Sequence, residues 1–329
     1  HLGGVHNLTA NVSQNVPRTI SIEDNAKPGK IKMGGTALNV SGFNSKMDIG
    51  ILDDYLSKYA FSSVVETNTD CPLITKSVIS NFDSFSKCLP DYPVKYDYGG
   101  FHGISVFVNP SLITEADVIS DTTSECILWM KLRFLDSFDF IYGAVYVPCI
   151  TSIFHRDDLF VDINNDIHEL NTRFDCLPTM LAGDWNGHTG TELDYLEADN
   201  VVADITGCDL LAETPVNCSE LNQNFADDRY NSDTRDIDAN GEGIISLCIN
   251  HKFRIVNGRI GKDKFEGKST CHKTNKPSVI DYLIVSDNML PYLSNFNVDM
   301  FDSNLSDVHS PIEFESVSYT HLRAHETRY

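Results

Sequence analysis

The stretch Leu181-Ala182-Gly183-Asp184-Trp185-Asn186 is an apolar run that ends in an acid and an amide. A second run, Val279-Ile280-Asp281-Tyr282-Leu283-Ile284-Val285-Ser286, carries an acid near its start. Short apolar runs of this kind, bounded by turn-forming residues, are strand signals. Working outward, Glu66 closes the run Ser62-Ser63-Val64-Val65-Glu66, and Asp307 and His309 stand near the end of the chain. Acidic and amide groups at strand termini can converge on one rim of a sheet, where a divalent ion and a phosphate could meet. One such point carries little information, but five in a fixed order carry a good deal.

The rest of the chain has the same texture. Leu38 to Gly42, Ser105 to Asn109, Cys126 to Leu132, Phe140 to Val147 and Phe253 to Val256 read as further strands. Ile51, Leu52, Tyr55, Leu56 and Tyr59 have helical spacing, and Ile244, Ile245 and Cys248 suggest another helix. Phe160, Ile163, Ile167, Leu170 and Phe174 mark an amphipathic helix with one apolar stripe. Many strands with interspersed helices and no internal repeat predict an α/β sandwich, two packed sheets flanked by helices. Residues 1–37 are polar, carry Pro17, Pro28 and Gly34-Gly35, and read as a flexible leader. The domain is expected over 38–316. Residues 317–329 resemble translated sequencing-adapter peptide, so the tail and its two histidines, His321 and His325, are set aside.

Composition narrows the class. A chain of 329 residues with 41% hydrophobic residues has ample material for a core. No apolar run is long enough to suggest a transmembrane helix, and no membrane partner is expected. The first residue is His and no charged-then-apolar leader follows, as in a piece of a longer reading frame rather than a secreted precursor. The nine cysteines are scattered without a C-x-x-C pair, which argues against a zinc site or a disulfide framework and fits a reducing compartment. A net charge of −22 argues against whole-surface attraction to nucleic acid. Residues 251–276 are the exception, with eight Lys and Arg against two acids, a local charge of +6 immediately before the Asp281 strand.

Taken in order, Asn39-Val40-Ser41-Gly42, Glu66-Thr67, Tyr146-Val147-Pro148, Gly183-Asp184-Trp185-Asn186, Ser278-Val279-Ile280-Asp281-Tyr282 and Ser306-Asp307-Val308-His309-Ser310-Pro311-Ile312 resemble the endonuclease/exonuclease/phosphatase superfamily, which includes DNase I and the apurinic endonucleases. The resemblance spans 38–316 and is strongest to the endonuclease domain of non-LTR retrotransposons, through Asn39 to Ser45, Gly183 to Gly190 and Asn240 to Arg259. It implies a four-layer sandwich with two mixed sheets, and a Mg²⁺-dependent phosphodiesterase, with Mn²⁺ as the alternative ion. The implied reaction is nicking of one DNA strand to prime reverse transcription. The implied partners are DNA and the element's RNA or reverse transcriptase, whose polymerase activity lies outside this chain. Chromosomal cutting would require access to the nucleus. A phosphatase or phospholipase of the same superfamily, and a decayed non-catalytic copy, are the alternatives.

Cleaving a phosphodiester requires neutralising phosphate charge, activating a water and stabilising the leaving oxygen. Glu66 is expected to hold the metal, with Asn39 orienting Glu66 or a metal-bound water and Asp307 as a further contact. Asp184 is the general base, or the acid for the leaving group, and Asn186 on the same side of an extended chain is a donor to the scissile phosphate. His309 would contact a phosphate oxygen or transfer a proton, with Asp281 fixing its tautomer. Tyr146 resembles a phosphate-contacting tyrosine of the family. Arg259, Lys262, Lys264 and Lys268 are expected on a DNA-facing surface hairpin. Val308 separates Asp307 from His309, which are adjacent in the common family form. One inserted residue reverses a side chain unless a bulge or loop restores both.

Overall fold

The structure, a computed structural model, describes residues 30–43, 46, 50–68, 79–87, 103–195, 218–273 and 276–319. Among them, one six-stranded sheet has β1 (Lys30–Asn39), β2 (Phe61–Val65), β3 (Asp83–Lys87), β4 (Ile104–Val108), β11 (Leu293–Val298) and β12 (Ile312–Tyr319), in the order β11-β12-β1-β2-β4-β3. The other has β5 (Ile113–Val118), β6 (Ile127–Phe134), β7 (Phe138–Tyr146), β8 (Thr179–Asp184), β9 (Phe253–Ile255) and β10 (Asp281–Ser286), in the order β5-β6-β7-β8-β10-β9. Both sheets are mixed, since β1 pairs parallel with β2 and β7 parallel with β8. The other pairings are antiparallel.

Side-chain alternation assembles the layers. Phe61, Val65, Val106, Val108, Ile312 and Phe314 of the first sheet meet Leu128, Met130, Phe140, Tyr142, Met180, Ala182, Leu283 and Val285 of the second in one core. The intervening residues face outward. Leu181, Tyr282 and Ile284 pack under the helices α2 (Leu159–Arg173) and α4 (Ala239–His251). Leu38 and Val64 pack under α1 (Ile51–Leu56) on the far side. The molecule is the four-layer α/β sandwich that the sequence predicts.

Helix α2 buries Leu159, Ile163, Ile167 and Leu170, the stripe expected from spacing. The same stripe buries Asp166, whose carboxylate accepts from Thr123 N (2.6 Å), Ser124 N (2.9 Å) and Trp129 Nε1 (3.1 Å). Helix α4 starts where the Asp238 side chain accepts from Gly241 N and ends at Lys252 in the left-handed region, φ 56°. No helix among the described residues is long and apolar enough to cross a membrane.

The boundaries expected at Leu38 and Ser316 are corrected. Strand β1 begins at Lys30 and β12 continues to Tyr319, and Lys30 to Lys32 pair with Tyr319 to Val317. The Gly34-Gly35 pair reads as a chain breaker, yet it lies inside β1. A Cβ at Gly35 would stand 2.4 Å from the Phe314 ring and 2.8 Å from Phe61, so glycine admits two large rings to the core here. Residues 1–29 and 320–329, including His321 and His325, lie outside the described residues.

One buried ion pair anchors the second sheet's edge. Arg259 donates to both oxygens of Asp194, at 2.6 and 2.9 Å, and Asp194 also accepts from Ile255 N of β9. Both side chains are almost wholly enclosed. Burial pushes the Asp194 carboxyl up, but Arg259 and the Ile255 amide outweigh it and hold it below the usual carboxylate range. Asp194→Asn would leave a buried guanidinium without its counter-charge and should destabilise the fold by about 3–5 kcal/mol. Urea unfolding of the variant beside the wild type measures this, and a loss below about 1 kcal/mol would rule out the anchoring role.

Candidate active site

The inward-facing rows of the two sheets end in polar residues at one rim. In β8, Asp184 continues the row of Met180 and Ala182; in β10, Asp281 precedes Leu283 and Val285; in β7, Tyr146 follows Tyr142 and Ala144. In β1, Asn39 shares the row of Met33 and Ala37. Antiparallel pairing sets Asp281 directly opposite Asp184, and parallel pairing sets Tyr146 beside Asp184. Gly183 permits this closeness. A Cβ there would stand 2.1 Å from the Val145 carbonyl oxygen, and its φ of 146° suits only glycine.

Glu66 follows β2, where Val65 faces the core and Val64 the outer face. Strict alternation would turn Glu66 outward with Val64. Its φ is 52°, a left-handed conformation uncommon for a non-glycine residue, and this breaks the alternation. Ser41 shares the region at φ 50°. Backbone bonds from Gly42 N to Glu66 O and from Phe43 N to Thr67 O, both 2.8 Å, stitch the two turns together. Non-glycine residues held this way cluster at functional sites.

The side chains form three hydrogen-bonded pairs. Tyr146 Oη donates to Glu66 Oε1 at 2.6 Å. Asn39 Nδ2 donates to Asp184 Oδ2 at 2.8 Å, while Asn39 Oδ1 accepts from Ser41 N. His309 Nδ1 meets Asp281 Oδ2 at 2.9 Å, and His309 Nε2 lies 3.8 Å from Asp184 Oδ2. With the Asp281 carboxylate on Nδ1, that nitrogen carries a proton and Nε2 faces Asp184. Asp184, Asp281 and His309 are all buried.

Charge explains the titration of the centre. Burial raises the Asp184 carboxyl strongly, the nearby Asp281 and Glu66 carboxylates push it further up, and His309 and Asn39 pull it back only in part. Burial disfavours the His309 imidazolium, but Asp281, through its charge and its hydrogen bond, and then Asp184 outweigh it and raise His309 above the usual imidazole range. Tyr146 is pushed far up by burial and by the Glu66 and Asp184 carboxylates, so its hydroxyl stays protonated.

Crowded carboxylate oxygens fit a hard divalent cation, which prefers oxygen ligands and a few carboxylates. Ligand atoms of Asp184, Asp281 and His309 lie within 4.8 Å of one another. Each of these groups has a partner, Asp281 in His309 Nδ1 and Asp184 in Asn39 Nδ2.

Asn39, Glu66, Tyr146, Asp184, Asp281 and His309 therefore share one rim, as expected from sequence, though several contacts differ in detail. Asn39 orients Asp184 rather than Glu66. Tyr146 bonds Glu66. Asn186 is not extended but lies at φ 45°, with its N bonded to Asp184 Oδ1 and its Nδ2 to Val147 O, both 2.9 Å. Asp307 is turned away. Its carboxylate meets Lys46 Nζ at 2.6 Å and stays 64% exposed, while Lys46 also reaches Ser303 O. Two residues apart, Asp307 and His309 would share a face in an extended strand, but the chain bends at 307 and 308 and leaves His309 inside and Asp307 outside. Ser306 Oγ accepts from both Val308 N (3.4 Å) and His309 N (3.1 Å), closing the turn that returns His309 to the rim.

The basic segment is placed beside Asp281, since Asn257 Nδ2 donates to Asp281 O and Thr270 Oγ1 accepts from Ile280 N and Asp281 N. It runs through turns around a short 3-10 segment, Gly261–Asp263, and ends in an antiparallel bridge between Cys271 and Ser278. Arg259 is buried on Asp194 and does not face solvent. Lys262 is exposed, Lys264 Nζ donates to Asn224 O (2.9 Å), and Lys268 pairs with Glu266 at 3.3 Å. Sequence reasoning missed the positioning residues Asn257, Thr270 and Asn240, the last bonded to Asn186 O and Pro148 O. Asn257 lies just past β9, whereas Asn240 sits in the first turn of the helix Ala239–His251 and Thr270 in irregular chain.

No protein-family model matches the sequence, and no curated protein matches it. Solved structures do resemble it. The endonuclease domain of TRAS1, a telomere-specific non-LTR retrotransposon, superposes with a TM-score of 0.53 at 13% identity, over 87% of this chain and 98% of that one. AP endonuclease LMAP from Leishmania major gives 0.58 at 12% identity, over 87% and 88% of the two chains. The 3′-5′ exonuclease NExo from Neisseria meningitidis gives 0.53 at 12%, over 86% and 99%. The chain thus has the DNase I-like fold, the fold of the endonuclease/exonuclease/phosphatase superfamily. Its structural neighbours are nucleases and phosphatases.

The dyad can be tested without turnover. Asp281→Asn removes the chief group that raises His309 and one that raises Asp184, so both should titrate at lower pH than in the wild type. NMR titration of the His309 ring proton should show its midpoint falling toward about 6.5, the ordinary imidazole value. An unmoved midpoint would mean that Asp281 does not govern the imidazole.

Proposed function

We propose that this chain is a metal-dependent phosphodiesterase that nicks one strand of DNA, as the endonuclease of a retrotransposon does. The observation that carries the reading is the pairing of a buried Asp281–His309 dyad with Asp184 on the rim that also holds Glu66. Asp184, raised by its neighbours, is suited to take a proton from an attacking water or to return one to the leaving oxygen near neutral pH. Asn39 fixes its orientation. Protonated His309, kept so by Asp281, stabilises negative charge that grows on the phosphate oxygens. Glu66, with Asn39 beside it on the rim, would hold Mg²⁺ or Mn²⁺, which when bound neutralises phosphate charge and makes a water easier to deprotonate. Asn186 keeps one amide hydrogen for the scissile phosphate. Lys262, with Lys264 and Lys268, supplies positive charge near the Asp281 strand. The charge of −22 elsewhere is screened beyond roughly 8–10 Å at physiological salt.

One similar structure is a 3′ phosphatase bound to a product DNA hairpin, so release of a terminal 3′ phosphate is the second reading. Supercoiled plasmid with Mg²⁺ separates the two, because a phosphatase leaves the plasmid closed. Asp184→Asn and His309→Ala should each lower nicking by about 10²–10⁴-fold while circular dichroism stays unchanged. Near wild-type nicking by either variant would remove that residue from the chemistry. Glu66→Ala should raise the Mg²⁺ concentration that gives half-maximal nicking, and an unchanged titration would assign the ion to another acid.

A further inference from the structure

A second set of polar groups sits on the same rim, outside the Asp184 centre. His188 lies on the loop that leaves β8, and by chain reach its Cα is within about 14 Å of that of Asp184. Its N donates to Asp238 Oδ1 at 3.0 Å, and its Nδ1 meets Asp233 Oδ2 at 2.9 Å. Asp233 is buried and held in place, since it also accepts from Val279 N (3.2 Å) and Arg235 N (3.1 Å). A fixed carboxylate on Nδ1 leaves Nε2 directed away from it, and Nε2 lies 3.5 Å from Arg235 Nη1. Arg235 Nη2 in turn donates to the Lys276 carbonyl. The His188 and Arg235 side chains keep 22% and 31% of their surface in solvent.

The support beneath this pair is rigid. Tyr282 Oη lies within hydrogen-bonding distance of Gly187 O (3.0 Å) and Val279 O (2.6 Å), tying the His188 loop to the chain that enters β10. Asp238 is committed to the His188 and Gly241 amides. What remains open to solvent is a guanidinium edge beside an imidazole nitrogen, oriented by a carboxylate that lies behind them. With its Nδ1 proton on Asp233, His188 accepts at Nε2 from Arg235 Nη1, and the guanidinium so oriented is the donor for phosphate oxygens.

We infer that Arg235, oriented by His188, holds a phosphate of the DNA strand that flanks the one being cut, at a fixed offset from Asp184. This inference rests on the nuclease reading. It makes the pair a positioning device.

Neutral methylphosphonate linkages placed one at a time along a duplex test it, with cuts mapped at nucleotide resolution. In the wild type, each neutral linkage should depress cutting about tenfold at one constant offset beyond the scissile position. In the His188→Gln/Arg235→Gln double variant, folded by circular dichroism, cutting at all sites should be weaker and that offset should vanish from the map. Cutting by the wild type without any such offset, or an offset that survives in the variant, overturns the inference and leaves the nuclease reading intact. Absence of cuts on any duplex overturns the nuclease reading, and this inference with it. A second variant, Asp233→Asn, keeps the shape but weakens the orientation of His188, and a full-strength offset there would also count against the pair.

Discussion

Two carboxylates set opposite each other, Asp184 and Asp281, are the constraint around which this molecule is organised. Antiparallel pairing of β8 with β10 forces them together, and the inter-sheet core buries them. Like charges in such a place oppose ionisation of both, and a buried charge without compensation is costly. The surroundings answer this at each point. His309 meets one carboxylate, Asn39 meets the other, and Glu66 lies near enough to raise the pressure further. The result is a region that favours a cation and a mobile proton.

The two-sheet architecture serves that constraint. Each strand sends alternate residues into the core, and where a strand ends the next inward position is released at the rim. Polar residues at those positions would be misplaced anywhere else along the row. Where alternation gives the wrong direction, the backbone departs from it, as at Glu66, or the chain makes a closed turn, as at Ser306 to His309. The sandwich thus explains the position of the acids, and the departures mark where position alone was not enough.

Much of this was legible from residues. Fully buried strands such as Ile104–Val108 and Thr179–Asp184 announce themselves as apolar runs, and the α2 stripe shows in its spacing. Edge strands were less visible. Ile113–Val118 is mostly exposed, so its sequence looks like a polar loop. Leu293–Val298 and Ile312–Tyr319 mix polar and apolar residues and gain their identity from partners far away in the chain. The site residues could be picked out by type and order, but their bonding could not. That Asn39 serves Asp184 depends on how two sheets pack, and that Arg259 is consumed by Asp194 depends on a contact across 65 positions. Charge counting along a segment sees Arg254 and Arg259 as surface cations, whereas burial removes both from solvent.

The pairing of β1 with β12 has a temporal consequence. Lys30 to Ala37 find their partners between Ile312 and Tyr319, so the first of the described strands waits for the last of them. Contacts of such long sequence separation form slowly, because the chain must close a large loop before gaining from it. His309 lies just ahead of that final strand, and Asn39 ends the first. A chain still emerging from the ribosome therefore holds its acids without their histidine, and the rim cluster is complete only with the closing strand.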